Sequence, residues 1–162
     1  MSERERALET LREKGWLGVN GGLEDRDPND SERTPLLKAA FGNEEERARL
    51  LLAAGADVHA KDKNGSTALH YCAWKDSAAT AGLLIEAGSE VDARNNSGWT
   101  PLILAGFHGS KEACEVLLRA GADIHLKNND GRTALDWAVE KGKDEVAALL
   151  RAAAAEGVGG GE

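Results

Sequence analysis

One interval recurs along this chain and limits what it can fold into. Threonines recur every 33 residues, and each begins a Thr-Pro-Leu or Thr-Ala-Leu step: Thr34, Thr67, Thr100 and Thr133. Glycines recur in the same register: Gly55, Gly88 and Gly121, and Gly65, Gly98 and Gly131. A fixed period of this length indicates a stack of equivalent units, each of which buries its apolar face only against its neighbours. The period therefore predicts a solenoid.

The third unit, residues 100–127, shows what each repeat is predicted to build. Thr100 is a suitable N-cap and Pro101 suits the first helical position, so a short helix should begin here. Gly109 permits the left-handed turn that ends this helix, and Gly121 does the same for a second helix. The run 128–131, Asn-Asn-Asp-Gly, is a turn signal between extended arms.

At these positions the chain resembles the ankyrin repeat family. Thr67-Ala68-Leu69-His70 and Gly55-Ala56-Asp57-Val58 are similar to the Thr-Pro-Leu-His and Gly-Ala-Asp-Val-Asn signatures of that family. The resemblance covers 34 to about 151 and implies an all-α solenoid, an ankyrin stack with a helix-turn-helix and a β-hairpin finger in each 33-residue unit. The predicted repeats are 34–66, 67–99, 100–132 and 133–151.

The two ends depart from the repeat pattern. Ala7, Leu8 and Leu11 have helical spacing, so residues 1–33 are interpreted as a degenerate half-repeat, with a cap helix in 3–20 and an acidic loop after it. The alternative is a frayed helix. Residues 152–162 form an Ala/Gly-rich C-terminal tail, in which the last helix should continue through Ala155 and 157–162 should be disordered.

Charge and composition narrow the functional classes. The net charge of −8, from 20 Lys and Arg against 28 Asp and Glu, argues against binding to nucleic acid. No stretch is long and apolar enough to span a membrane, and the N-terminus has no apolar signal region. Two cysteines within helical patterns favour a reducing compartment. We expect a cytoplasmic, stand-alone protein, with the nucleus as the alternative, that is a monomer when free.

The sequence offers no constellation for catalysis or metal binding. His59 and His125 hold equivalent positions in two repeats that are not adjacent, so they should lie on the order of 20 Å apart, too far to share one ion. The resemblance implies that His70 makes a structural hydrogen bond near a helix start. No nucleophile elbow, phosphate loop or zinc-binding helix motif occurs. We therefore expect no enzyme activity, no metal and no cofactor.

The resemblance implies a binding surface. In ankyrin proteins the seventh residue after the threonine, its successor, the residue before the threonine and the finger face a concave groove. On this chain the candidate partner-binding residues are Phe41, Trp74, Lys75, Trp99, Phe107, His108, Arg132 and Lys141, with Lys63, Asn96 and Asn129 in the fingers. Aromatic rings edged by Lys and Arg are typical of protein interfaces. The alternative is that these rings pack between repeats; Tyr71 and Trp137 are assigned to the core.

The favoured function is binding of another protein through the concave face, as an adaptor, inhibitor, assembly factor or scaffold subunit. One alternative is a fixed structural subunit of a larger assembly. A small-molecule-binding or enzymatic accessory role is less favoured, because it requires a closed pocket and a solenoid groove is shallow.

Overall fold

The computed structural model describes residues 1–157, which contain nine α-helices and no β-strand. The helices are α1 (Glu3–Glu13), α2 (Pro35–Phe41), α3 (Glu45–Ala53), α4 (Ala68–Lys75), α5 (Ala78–Glu86), α6 (Pro101–His108), α7 (Lys111–Arg119), α8 (Ala134–Glu140) and α9 (Asp144–Ala155). Helices α2, α4, α6 and α8 contact one another in sequence and form an inner row. Helices α1, α3, α5, α7 and α9 do the same in an outer row. The predicted all-helical repeat stack is confirmed.

The repeated threonines begin the inner helices, as predicted. The hydroxyl of Thr100 accepts a hydrogen bond from the backbone N–H of Ile103 at 3.3 Å, and Thr133 caps α8 in the same way. Gly109 and Asp76 end their inner helices in the left-handed conformation, with φ of 76° and 55°. Local sequence signals therefore set both ends of these helices.

The core is a periodic column of leucines. Leu51, Leu84, Leu117 and Leu150 come from α3, α5, α7 and α9; they are at most 1 % exposed and recur at the 33-residue interval. All four belong to one buried apolar cluster, the continuous core that is expected of a solenoid.

Small residues bring the inner helices close together. A Cβ atom added at Gly106 in α6 would lie 2.3 Å from the carbonyl oxygen of Ala134 in α8.

Cys72 occupies the equivalent of a buried alanine in the other repeats, and burial raises the pKa of its thiol to about 12. This cysteine therefore acts as a small apolar residue.

The fingers fold back as predicted but do not form strands in the described residues. Each is closed across its ends by a backbone hydrogen bond of 3.0 Å, such as Asn95 N–H to Trp99 C=O. The second and third fingers are also bonded to the finger before them, as in the 2.9 Å bond from Asn96 N–H to Asn64 C=O. The predicted β-hairpin finger is thus a tight turn with too few paired residues to form β-strands.

The N-terminal segment adds an outer helix without an inner one. Helix α1 packs on α3 through Leu11, which is fully buried, and Arg4 Nε donates to Ala54 C=O at 3.0 Å. The following loop is tied to the first repeat, since Glu24 accepts a 2.8 Å hydrogen bond from the N–H of Asp57. This arrangement is compatible with the half-repeat interpretation of 1–33.

At the other end, α9 continues to Ala155, so the predicted tail from 152 begins inside a helix. The expectation of disorder concerns mainly residues 158–162, which lie outside the described residues. Across residues 1–157, no helix combines the length and the apolar character that crossing a bilayer needs.

Candidate functional site

The ends of the inner helices and the fingers place aromatic side chains on one face of the stack. Phe41 ends α2, Trp74 lies one residue before the end of α4, and Phe107 and His108 end α6. Trp99 lies in a finger, immediately before the threonine that caps α6. Stacking of equivalent repeats brings these positions side by side.

The rings contact one another in a continuous series. Trp74 lies 5.5 Å from Phe41 and stacks on His108 at 5.7 Å between ring centroids. His108 lies 5.0 Å from Phe107, which is 5.2 Å from Trp137. We call this series the aromatic ladder, and its members are Phe41, Tyr71, Trp74, Trp99, Phe107, His108 and Trp137. It spans all four repeats.

The members of the ladder differ in exposure. Trp74 is 42 % exposed, whereas Phe41, Trp99 and Phe107 are half-buried because their neighbours in the ladder cover part of each ring. The alternative prediction, in which rings pack between repeats, therefore describes part of what these rings do. Trp74 is the ring that offers most apolar surface to solvent.

Cations lie on the faces of the ladder rings. At the first two repeats, the Arg33 guanidinium lies 4.2 Å and Lys75 Nζ 4.3 Å from the centroid of Phe41. At the fourth repeat, Arg132 lies 4.5 Å from the centroid of Trp137, and Lys141 Nζ lies 4.9 Å from that of Phe107. Such contacts hold a cation against a ring face and orient its remaining N–H groups.

A cleft of about 380 Å³ opens between the fingers and the inner helices in the middle of the ladder. Tyr71, Trp74, Trp99 and His108 line it together with Asp62 and polar residues of two fingers. The Tyr71 hydroxyl donates to Asp62 Oδ2 at 2.5 Å and accepts from Arg33 Nε at 3.1 Å. Burial and the Asp62 carboxylate raise the pKa of Tyr71 to about 12, so its hydroxyl stays protonated.

Two histidines lie at this face, and His70 is the more deeply buried of the two. His70 is 1 % exposed, and its ring nitrogens contact the Thr67 N–H at 3.1 Å and the Trp99 carbonyl at 2.9 Å. Burial lowers the pKa of His70 to about 4 and also lowers the pKa of His108. The structural hydrogen bond implied for His70 is present, and it fixes the backbone of Trp99.

Of the three predicted finger residues, one faces solvent and two connect neighbouring fingers by hydrogen bonds. The Lys63 side chain is exposed, whereas the side-chain amides of Asn96 and Asn129 donate to the carbonyls of Lys63 and Asn96 at 3.2 Å and 3.3 Å. Both asparagines therefore tie one finger to the next. The signal for this role was present in the sequence, since the two residues lie 33 positions apart beside the turn glycines.

The sequence assigned Tyr71 and Trp137 to the core; the structure buries Tyr71 and packs Trp137, in part exposed, against the same core. Tyr71 is buried, but Trp137 is half-buried and stacks on Trp99 at 5.1 Å. The indole N–H of Trp137 is buried and has no acceptor within residues 1–157. Trp137 joins the ladder through its contacts with Trp99 and Phe107.

Other chemistry is sparse in the part of the chain that the structure describes. No group of three or more His, Cys, Asp or Glu side chains there could hold a metal ion. His59 and His125 are exposed, and both cysteines are buried free thiols. The aromatic ladder, its cations and the central cleft therefore form the strongest candidate site.

Comparison with known proteins identifies the repeat. A family model described as ankyrin repeats (3 copies) matches residues 8–95 and 79–157. A search of curated protein sequences finds no match. Ankyrin repeats are generally protein–protein interaction modules, and proteins built from them are typically not enzymes.

Proposed function

Since the chain belongs to the ankyrin repeat family, we propose that it binds another protein through the concave face formed by the inner helices and the fingers. The observation that carries this proposal is the aromatic ladder, which crosses all four repeats and leaves Trp74 42 % exposed. The two buried free cysteines favour the cytoplasm as the place of action.

The physical basis is preorganisation. Trp74 and Trp99 are held by neighbouring rings, and Trp99 also by His70, so a partner does not have to order them on binding. Ordering an interface side chain costs about 0.5–1.5 kcal/mol, and this cost is avoided here. Large aromatic side chains near the centre of an interface provide much of the binding free energy.

Each predicted site residue has a place in this arrangement. Trp74 and Trp99 are the central anchors, and Phe41, Phe107 and His108 hold them and extend the apolar surface. Lys63, Lys75, Arg132 and Lys141 form a charged edge. Asn96 and Asn129 act indirectly, by fixing the fingers that border the groove.

Two alternatives use the same surface. A fixed subunit of a larger assembly would bury the ladder permanently against one neighbour. A small-molecule site is favoured by one observation, the cleft of about 380 Å³ lined by rings and Asp62, a volume within the range of ligand pockets. We favour a protein partner because the ladder extends beyond this cleft on both sides.

Affinity capture from the native source tests the proposal. Three baits are compared: the wild type, Trp74→Ala, and Val139→Ala as a control. Val139 is 52 % exposed and is equivalent to Gly106, which faces the following inner helix. Val139 therefore lies on the side of α8 that faces the C-terminal end of the stack, away from the cleft. We expect a stoichiometric protein on the wild-type and Val139→Ala baits that is lost from Trp74→Ala. Equal recovery on all three baits, or recovery of a small ligand without protein, would contradict the proposal.

A further inference from the structure

We propose that the groove takes an extended segment of the partner in which an apolar side chain is flanked on both sides by acidic residues. This inference rests on the proposed function, because it specifies the chemistry of the partner at the same surface. The apolar side chain enters the cleft between Trp74 and Trp99, and the acidic residues meet the cations on either side.

The groove carries more positive charge than the chain as a whole. The chain has 20 Lys and Arg and 28 Asp and Glu, a net charge of −8. The groove reverses this balance, with five cations and three carboxylates: Arg33, Lys63, Lys75, Arg132 and Lys141, against Asp130, Glu140 and Asp62 of the cleft. A positive strip on an acidic protein attracts and orients a negatively charged partner.

The faces of two ladder rings are covered by cations of the chain itself. Arg33 and Lys75 lie on Phe41, and Lys75 also lies 5.1 Å from the centroid of Trp74. Cations of the chain itself therefore occupy the faces that would attract a lysine or arginine of the partner. Lys75 makes no ion pair within residues 1–157, so its N–H groups are available to a carboxylate from outside.

Carboxylates near the groove already accept hydrogen bonds or form ion pairs with groups of the chain itself. Asp62 accepts hydrogen bonds from the Tyr71 hydroxyl and from the N–H groups of Asn64 and Ser66, at 2.5, 2.8 and 2.9 Å. Glu140 pairs with both Arg132 and Lys141, and Asp30 pairs with Arg33. On the C-terminal side of the groove, Asp130 and Glu140 balance Arg132 and Lys141 in formal charge, so these two cations offer N–H donors to a partner, and the net positive charge lies at Lys63 and Lys75.

The spacing of the cations sets the length of the segment. Lys75 and Lys141 belong to the second and fourth repeats, so they lie about 16–20 Å apart if neighbouring units pack at about 8–10 Å. An extended chain rises about 3.3 Å per residue, so acidic residues roughly five or six positions apart would reach both cations. The cleft lies between these two lysines, in position for an apolar side chain in the middle of the segment.

A single-stranded nucleic acid also combines negative charge with flat rings, and it would use a similar surface. We favour an acidic peptide because phosphate backbones require a denser array of cations, and Asp130 and Glu140 interrupt this one. The nucleic acid is therefore included in the test as a competing ligand.

The test measures the affinity of the purified protein for synthetic peptides of about ten residues, the length that spans the groove. All share a central Leu-Phe pair, which is flanked by Glu, Gln or Lys, and an oligothymidine of matched charge is the fourth probe. Titration calorimetry provides the dissociation constants. We expect the Glu peptide to bind at least ~10-fold more tightly than the Gln peptide and the Lys peptide to bind most weakly.

A charge-reversed variant makes the test specific. Lys75→Glu combined with Lys141→Glu should reverse the preference, so that the Lys peptide binds better than the Glu peptide. Arg49→Glu combined with Arg119→Glu makes the same change in net charge at exposed positions of the outer row and should leave the wild-type preference intact. Melting curves verify that both variants are folded.

The inference is wrong if the Lys peptide or oligothymidine binds the wild type most tightly, or if charge reversal leaves the preference unchanged. It is also wrong if no peptide binds while capture of a partner still depends on Trp74. In that last case the proposed function stands, so the failures of the two proposals are distinguishable.

Discussion

Replacing His70 with glutamine should make folding stability less dependent on pH. The Thr67 N–H donates to Nδ1 of His70, so the ring proton lies on Nε2 and is donated to the Trp99 carbonyl. Protonation of Nδ1 would break the first of these bonds and place a charge in a site that is 1 % exposed. Glutamine stays neutral and can reach back to the N-cap residue in the same way.

The magnitude follows from the pKa of His70, which burial lowers from 6.5 to about 4 in the folded protein. The unfolded state binds this proton more readily than the folded state does. The folding stability that neutral His70 provides is therefore fully present above pH 6.5 and is lost as the pH falls towards 4. The shift corresponds to about 3 kcal/mol in all, of which about 2 kcal/mol is lost between roughly pH 7 and pH 5.

Urea unfolding of the wild type and His70→Gln at both pH values measures this difference. Asp76, whose pKa burial raises to about 6, acts in the opposite direction, since it destabilises the fold as the pH rises. This contribution is common to both proteins and cancels when they are compared. The exposed His125→Gln serves as the control and should follow the wild type. Equal losses for the wild type and His70→Gln would show that His70 is not the group whose protonation destabilises the fold.

Three further predictions concern the stack. Leu84→Ala and Leu117→Ala, both fully buried, should each lower the free energy of unfolding by ~2–5 kcal/mol in chemical denaturation, and unchanged curves would mean that the buried face is wrongly assigned. Gly106→Ala should cost ~1–3 kcal/mol because its Cβ meets the backbone of α8, whereas Gly82→Ala, with nothing within 4 Å, should be neutral or slightly stabilising. Deletion of residues 1–20 should lower the melting temperature and the solubility, because it uncovers the apolar face of α3; an unchanged melting curve would show that α1 is not a cap.

The fold could be predicted because its determinants are local and repeated. A threonine before each inner helix, a residue tolerant of left-handed backbone after it, and a leucine in each outer helix all recur at one interval. A signal repeated four times is stronger than any one of its copies. The same regularity indicated which positions share a face, so Phe41, Trp74 and Phe107 could be grouped before any distance was known.

Contacts between non-equivalent positions could not be predicted in this way. Trp137 of the fourth repeat reaches Phe107 of the third and Trp99 at the end of the second, and Arg33, which precedes the first repeat, reaches Tyr71 of the second. Such contacts depend on side-chain volume and on the distance between helices, which a one-dimensional pattern does not contain. The short fingers are a related case, since a turn signal predicts the reversal of the chain but not the number of residues that pair after it.

The most direct test of the binding surface is the dissociation constant of the captured partner for Trp74→Ala, measured on protein whose melting temperature is also known. We predict that binding weakens by ~2 kcal/mol or more, about a 30-fold rise in the dissociation constant, because a central aromatic anchor is removed. The melting temperature should change little, since Trp74 is 42 % exposed in the free protein. A Trp74→Ala protein with a much lower melting temperature but wild-type affinity when folded would show that Trp74 stabilises the fold and does not bind the partner.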